Sequence, residues 1–570
     1  MNRIGKITPK TRTVQAGSAP AAIVLGLIAL AGSAPTGRAD LLIMNARIIT
    51  MNDRQPEASA VAIRGDRIEW VGASDDANKT YGDAAQKLDL GGATVLPGIN
   101  DAHGHLQSLG GSFIRLNLKG AATPQEAVKA VKEKAGKTGA GQWIQGWGWD
   151  EGKWASSYPT NEGLNEASPN NPVFLVGLHG FASWANNKAL EMCGITRETR
   201  DPAKGTILRD PVTGEATGIL LNSAQELVAV RIPPLSLSQI EEAIELAARE
   251  CARNGLTSVQ DARVTPIMIQ AIRELVKQHR LPVRVYAMLD GADSQLVDEW
   301  LSRGPEIDNS GHRFTVRCFK LFADGALGSR GASLLQPYKD DPGNKGVMTT
   351  SGFAVYTLTR RAMDRGFQVA VHAIGDGANR EVLDAFEKAL GDGRPAADPR
   401  LRVEHAQVVA ARDMPRFAKL GVLASMQPVH CTSDMDWAEK RLGPERIRGA
   451  YAWRSLLKSG AHLPLSSDFP GETLNPFYGI YAAITRQHPD GNPPGGWHAE
   501  QKLTLDEALR GYTLEAAYAE FEENQKGSIE KGKLADLIVI SKDITRSSPK
   551  DILSIQVLKT FVGGKLVYEK

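Results

Sequence analysis

Apolar positions along this chain recur in two registers. Near the start, 41–44, 46–50 and 60–63 are short runs of Leu, Ile, Val and Ala. The polar turn Arg64-Gly65-Asp66-Arg67 then leads into the alternating Ile68-Glu69-Trp70-Val71. Short apolar runs split by turn residues predict a hairpin-rich sheet. The far end repeats the pattern: 535–540 and 557–562 are strand-like, and Gly563-Gly564 turns the chain into Lys565-Leu566-Val567-Tyr568. β segments at opposite ends predict one small β-sandwich domain, over 40–93 and 526–570, with a large domain inserted between its halves.

Between those ends, strand and helix patterns alternate. Strand candidates fall at 94–99, 257–260, 283–289, 315–322, 368–371, 401–403, 422–426 and 463–465. The clearest helical period spans 239–253. Ile240, Ala243, Ile244, Ala247 and Cys251 form its apolar stripe, Ser238 and Glu241 a capping box, and Gly255 its stop. Eight strands with intervening helices predict an α/β fold, a (β/α)8 barrel of the TIM type over 94–525. The first two strands lie about 150 residues apart, far beyond an ordinary connection. An insertion over 111–255 is therefore predicted, with a helix at 124–135 and a Trp-rich piece at 143–154. It reads as a lid over the barrel mouth.

The first 39 residues follow neither pattern. Arg3, Lys6, Lys10 and Arg12 make a basic start, 19–31 is apolar, and 34–39 is rich in small residues. That order is a secretory signal over 1–39 and predicts export, to the periplasm or beyond. The alternative is a cytoplasmic chain with an unstructured start. The apolar stretch is short for a membrane span, which takes about 20 residues.

Composition narrows the class. With 570 residues, 42% hydrophobic and 23% charged, the chain is an ordinary globular protein, so disordered and fibrous readings fail. The 67 Lys+Arg balance 65 Asp+Glu for a net charge of +2, and no basic stripe marks a nucleic-acid surface. Cys193, Cys251, Cys318 and Cys431 form no CxxC pair, which removes zinc-ribbon and thioredoxin readings. A small-molecule substrate is the expected partner. A homo-oligomer is compatible with the sequence.

Candidate chemistry sits at strand ends. His103 and His105 follow the apolar Val95-Leu96-Pro97-Gly98-Ile99. Histidines at i and i+2 on extended backbone share a face. At the C-terminal end of a barrel strand that face is the lumen, and two neighbouring imidazoles suit a borderline-soft cation such as zinc. The other reading is a pair of polar surface histidines. His372 and His405 close apolar strands in the same way. Each alone reads equally as structural; four strand-end histidines aimed at one mouth point to a shared site. Asp468 falls just past the eighth strand, as a site carboxylate or a turn residue. Lys320 lies among apolar strand residues and must find a partner or lose its charge, with Asp324 one candidate.

Substrate contacts have weaker markers. Arg330 could meet a substrate anion or the oxyanion, or pair with Asp340 or Asp341 at the surface. Trp143, Trp147, Trp149, Trp154 and Trp184 either wall an apolar or aromatic substituent or form the insertion's own core. His179, His430 and Trp453 are further candidates. His462 precedes the eighth strand and reads as structural; His279, His312, His488 and His498 read as solvated.

Taken in order, His103-x-His105, Lys320, His372, His405 and Asp468 resemble the amidohydrolase superfamily. The surrounding text is similar to its amidohydrolase-3, YtcJ-like branch, which includes N-substituted formamide deformylases. The matching stretches are 320–330 (KLFADGALGSR), 369–377 (VAVHAIGDG), 404–407, 425–428 with Ser433-Asp434, 467–470 and 527–539 (GSIEKGKLADLIV). The resemblance implies a distorted (β/α)8 barrel with a β-sandwich of both termini. It implies that His103, His105 and Asp468 hold one metal and His372 and His405 a second, with Lys320 bridging as a carbamate formed with CO2. If Lys320 stays an amine, a single-metal site follows. Zinc is the default ion, with Mn, Co and Fe open. The implied activity is hydrolysis of carbon–nitrogen bonds other than peptide bonds, in N-acyl amides or N-substituted formamides. Metal-activated hydroxide adds to the carbonyl, and Asp468 takes the water proton and passes it to the leaving nitrogen. The alternatives are a lactone or ester hydrolase at the same site, or an inactive binding barrel. One departure stands out. The relatives' Gly-His pair ahead of a segment like Ala182-Ser183-Trp184 is here Gly180-Phe181, with His179 two positions earlier.

Overall fold

The computed structural model describes residues 38–150, 154, 158–177, 182–203, 205–393 and 398–570. Nearly all of the expected signal segment, together with His179 and Gly180-Phe181, lies outside the described residues. Among the described residues no helix is long and apolar enough to cross a membrane.

The central sheet holds seven parallel strands in chain order: β1 (Ile99–Gly104), β2 (Leu256–Val264), β3 (Arg284–Asp290), β4 (Phe314–Phe322), β5 (Gln368–Ala373), β6 (Arg402–His405) and β7 (Leu423–Ser425). It curls into a nearly closed barrel. The eighth strand, expected at 463–465, is reduced to a single parallel bridge between Met426 and Leu465. Pro464 sits in the middle of that segment and has no N–H to give a ladder. Closure toward β1 comes from the Ala102 N–H on the Leu465 carbonyl, 3.3 Å.

The first strand also differs from expectation. Thr94–Pro97 pairs antiparallel with Leu537–Ile540 in a terminal sheet and lies outside the barrel. The chain crosses into β1 at Gly98, where an added Cβ would lie 2.2 Å from the Thr257 hydroxyl. His103 consequently lies within β1.

Two further sheets are built from the chain ends. One holds Arg67–Gly72, Ala60–Arg64, Leu41–Met44 and Gln86–Asp89. The other holds Lys565–Glu569, Val557–Val562, Leu537–Ile540, Thr94–Pro97, Arg47–Ile49 and Glu57–Ala58. Leu41, Ile43 and Val61 of the first pack with Ile48, Val95 and Val539 of the second in one apolar core. The buried Arg284 guanidinium, at the base of β3, pairs with Asp536 at 2.7 Å and ties these sheets to the barrel.

Between β1 and β2 lies a six-stranded sheet, ordered Gly205–Arg209, Ala216–Asn222, Ala182–Ala185, Val173–Gly177, Ile144–Trp149, Leu116–Asn117. The helix Pro124–Ala135 covers part of it and starts at Thr123, whose hydroxyl accepts from the Glu126 N–H. The chain returns through Leu237–Arg253, whose capping box is Ser236 with Gln239. The Ser-x-x-Glu/Gln pattern occurs twice, two residues apart, and the earlier frame sets the helix start in place of Ser238 and Glu241.

Candidate metal centre and active site

The barrel strands alternate, and their inward positions build the site in layers. Ala262, Tyr286, Met288, Cys318 and Ala370 form an apolar plug inside the ring. One step further along each strand come Lys320 (two residues after Cys318) and His372 (two after Ala370). Asp101 and His103 on β1, and Arg402 and Glu404 on β6, are buried at neighbouring positions.

Two overlapping groups of ligand atoms result. The first is His103, His105 and Asp468; the second is His405, His430 and Asp468, each group within 4.8 Å. Asp468 is common to both. Its Oδ1 lies 3.1 Å from His105 Nε2 and 3.8 Å from His103 Nε2, while Oδ2 lies 3.7 Å from His430 Nε2. Lys320 adjoins the first group, with Nζ 3.3 Å from His103 Nε2. His372 packs 4.5 Å from His405, centroid to centroid, and turns its Nε2 toward Asp324 at 3.4 Å. The second group is thus completed by His430, while the expected partner of His405, His372, stands beside it.

The other ring nitrogens are occupied. His103 Nδ1 lies 2.5 Å from Glu404, His105 Nδ1 3.0 Å from the Ala262 carbonyl, and His405 Nδ1 2.8 Å from the Gln427 amide oxygen. Each acceptor fixes a proton on Nδ1 and leaves Nε2 with a lone pair, the arrangement metal-ligating histidines adopt. The Nε2 of His372 is buried and has no hydrogen-bond partner among the described residues. This donor set suits a divalent cation.

Backbone anchors hold the carboxylate. Asp468 has φ of 60° and His405 72°, a left-handed region that costs a non-glycine residue about 1–3 kcal/mol. The neighbouring Ser467 is pinned by Asp101, which accepts both its hydroxyl (2.6 Å) and its N–H (3.2 Å), and the Asp468 N–H donates to the His103 carbonyl at 2.9 Å.

Charge states follow from burial and neighbours. Burial and then Lys320 lower His103 to about 4 and His372 to about 3. Burial and then His372 hold His405 well below its usual value. All three rings are neutral at neutral pH, the form that binds cations. Burial alone would raise Asp468; the His105 hydrogen bond and the His103 ring outweigh it and hold the carboxyl well below the ordinary range. Burial lowers Lys320 to about 8. Burial pushes Asp101 up to about 7 against the opposing Ser467 hydrogen bonds.

Other expected contacts land elsewhere. Arg330 pairs with Asp340 at 2.9 Å, so its guanidinium is engaged at the surface. Trp149 and Trp184 are fully buried in the insertion core with Trp154, and their indoles donate to the Leu175 and Thr160 carbonyls. Among the described residues they act as packing residues of that core. The cause is a register shift between Trp147 and Trp149 at Gly148 (φ 95°), which sends the two rings to opposite faces. Trp453 is likewise buried, beneath Arg486. His312 is no solvated residue: it is buried against Glu522 at 3.1 Å. His462 pairs with Glu515 at 2.8 Å and belongs to neither candidate ligand group.

Glu404, Arg402, Gln427 and Asp101 were not singled out as site residues by sequence, and Asp324, named there as a candidate partner of Lys320, faces His372 instead. The i, i+2 spacing of Asp101 with His103, and of Arg402 with Glu404, is the signal that marks them as sharing the inward face.

The sequence model of the amidohydrolase family matches residues 86–568. The chain belongs to the amidohydrolase family. Among its relatives, Protein LONG AFTER FAR-RED 3 of Arabidopsis thaliana is 35% identical over 550 residues, 93% of this chain and 92% of that protein. The N-substituted formamide deformylase of Arthrobacter pascens is 30% identical over 547 residues, 93% and 98% of the two chains. An uncharacterized metal-dependent hydrolase from Pyrococcus furiosus superimposes with a TM-score of 0.74 at 30% identity, covering 88% of this chain and 99% of that one. This amidohydrolase is therefore a hydrolase of a metal-dependent family, acting on small molecules, and its imidazole and carboxylate groups are the residues able to hold a cation.

Proposed function

We propose that the enzyme hydrolyses a carbon–nitrogen bond outside the peptide backbone, in an N-acyl amide or N-substituted formamide. The carrying observation is the Asp468 carboxylate, held ionised between imidazoles whose Nε2 atoms face it. His103, His105 and Asp468 would hold one cation, zinc by the donor set, and His405 and His430 with Asp468 would hold a second. The chemistry a cation would supply there is polarisation of the carbonyl and a water whose pKa falls to about 7. In this reading Asp468 accepts the water proton and returns it to the leaving nitrogen. Lys320, lowered to about 8, is partly free amine at neutral pH, the form that adds CO2. As a carbamate it would bring two anionic oxygens beside His103 and remove a buried cation. The likeness to a named formamide deformylase supports the acyl group.

A panel of N-aryl formamides, N-acetyl amines, matching esters and lactones, and dipeptides tests this. Turnover of the formamides or amides is expected, lost on chelation and restored by zinc, with dipeptides untouched. Asp468→Asn should lower kcat by about a thousandfold or more. Ester or lactone turnover alone, or amide turnover indifferent to chelation, would overturn the reading.

A further inference from the structure

A cavity of about 680 Å³ opens beside the metal centre, between the inserted sheet, the helix Leu106–Ile114 and the loop 470–474. Its size is that of a small-molecule site. The helix begins directly after His105, and Pro470 lies two residues past Asp468, so the cavity abuts both elements that carry these ligands.

The wall has two parts. Trp143, Trp147, Leu235 and Leu474 make an apolar face. Trp143 and Trp147 reach it because they lie opposite Ile144 on their strand, and the Gly148 shift keeps Trp149 away. The remaining polar lining is rich in donors. The Trp143 and Trp147 indole nitrogens are buried, with no hydrogen-bond partner among the described residues.

Three cations stand at the same wall: Arg115, Lys119 and Lys134. Lys134 donates to the Ile114 carbonyl at 3.2 Å and Lys119 lies 4.4 Å over the Trp147 ring. Arg115 makes no ion pair among the described residues. The one acid in the lining, Glu472, accepts from the Ser433 hydroxyl at 2.5 Å. An aromatic and aliphatic face and an excess of positive charge describe the complement of one ligand class.

We propose that this cavity binds an apolar carboxylic acid, its hydrocarbon body on Trp143, Trp147 and Leu235 and its carboxylate toward Arg115 and Lys119. The acid is either the far end of the enzyme's own substrate or a separate effector; both share this chemistry. The site does not depend on which bond is cleaved.

Calorimetry on the metal-loaded enzyme tests the proposal with 4-phenylbutanoate and its uncharged counterpart 4-phenylbutan-1-ol. The acid is expected to bind at least about tenfold more tightly than the alcohol, with affinity falling as salt rises. Arg115→Gln combined with Lys119→Gln should weaken the acid by about tenfold and leave metal content unchanged. Equal affinity for acid and alcohol would overturn the proposal. So would acid binding unchanged in the Arg115/Lys119 variant, which would seat the carboxylate on the metal centre instead. With any amide or formamide the enzyme turns over, competitive inhibition by the acid identifies the substrate's own acidic end. Inhibition of another type, or activation, identifies an effector.

Discussion

One proton decides what His103 can do. Glu404 lies 2.5 Å from Nδ1, and Arg402 grips Glu404 at 2.7 Å inside the barrel. Burial would raise the Glu404 carboxyl, but Arg402 and then His103 hold it well below the carboxylate range. The ring proton therefore stays on Nδ1, and Nε2 is kept as a ligand. Glu404→Gln should lower cation affinity by about 10–100-fold, read by chelator competition, with folding retained because Arg402 also reaches Ser425 and the Ala102 carbonyl. Unchanged affinity would remove Glu404 from that role. A pH series tests the same residues. With folded-state values of about 4 for His103 and about 3 for His372, below the ordinary 6.5, both rings stay neutral as pH falls through 6.5. In metal-free enzyme the His103 ring should stay neutral down to about pH 5 and protonate only near 4, followed by the NMR shifts of its ring carbons. Protonation of His103 already at pH 6 to 7 would contradict these charge states. The histidines, Lys320 and Asp468 were legible because a polar group that closes an apolar strand is costly to bury unless it meets a partner there. His430 was legible only as a weak candidate, since it sits on the short helix Pro428–Asp434 without a strand-end pattern.

The helix Leu106–Ile114, which follows the site's first strand, packs closely against Leu237–Arg253. Gly110 permits it: a Cβ there would lie 1.7 Å from the Ala243 carbonyl, while Gly111 next to it faces open space. Gly110→Ala should destabilise by about 1–3 kcal/mol or more through overpacking. Gly111→Ala, in the same helix, should be neutral or stabilising by up to about 1 kcal/mol. Thermal unfolding of the pair checks this, and equal midpoints would show that the contact is not tight. Strands with strong apolar runs were readable, and so was the helix Pro124–Ala135, which begins with Pro and a threonine cap. The misread elements share a cause. Thr94–Pro97 and β1 read as one run because only the Gly98 crossing, a long-range contact with Thr257, separates them. The bulge at Gly148 similarly splits Trp147 from Trp149 by a register shift that alternation does not announce.

Parallel strands in chain order bring side chains from position 103 to position 468 to one end of a ring. That convergence was foreseeable from the spacing of strand-end histidines. The resemblance already put His103 and His105 with Asp468; that His430 shares the same carboxylate was not foreseeable, because it depends on how the 463–468 segment closes the ring without a full strand. The cavity beside the centre was unreadable for a similar reason: its walls come from the insertion, a barrel helix and the 470–474 loop. Hydrolysis at this centre requires these residues to meet around a cation. Anomalous diffraction at the zinc edge, on crystals of enzyme loaded with zinc, tests that most directly. A peak about 2.0–2.2 Å from His103, His105 and Asp468 is expected. Zinc bound elsewhere, with Asp468 facing only water, would contradict the metal-centre assignment.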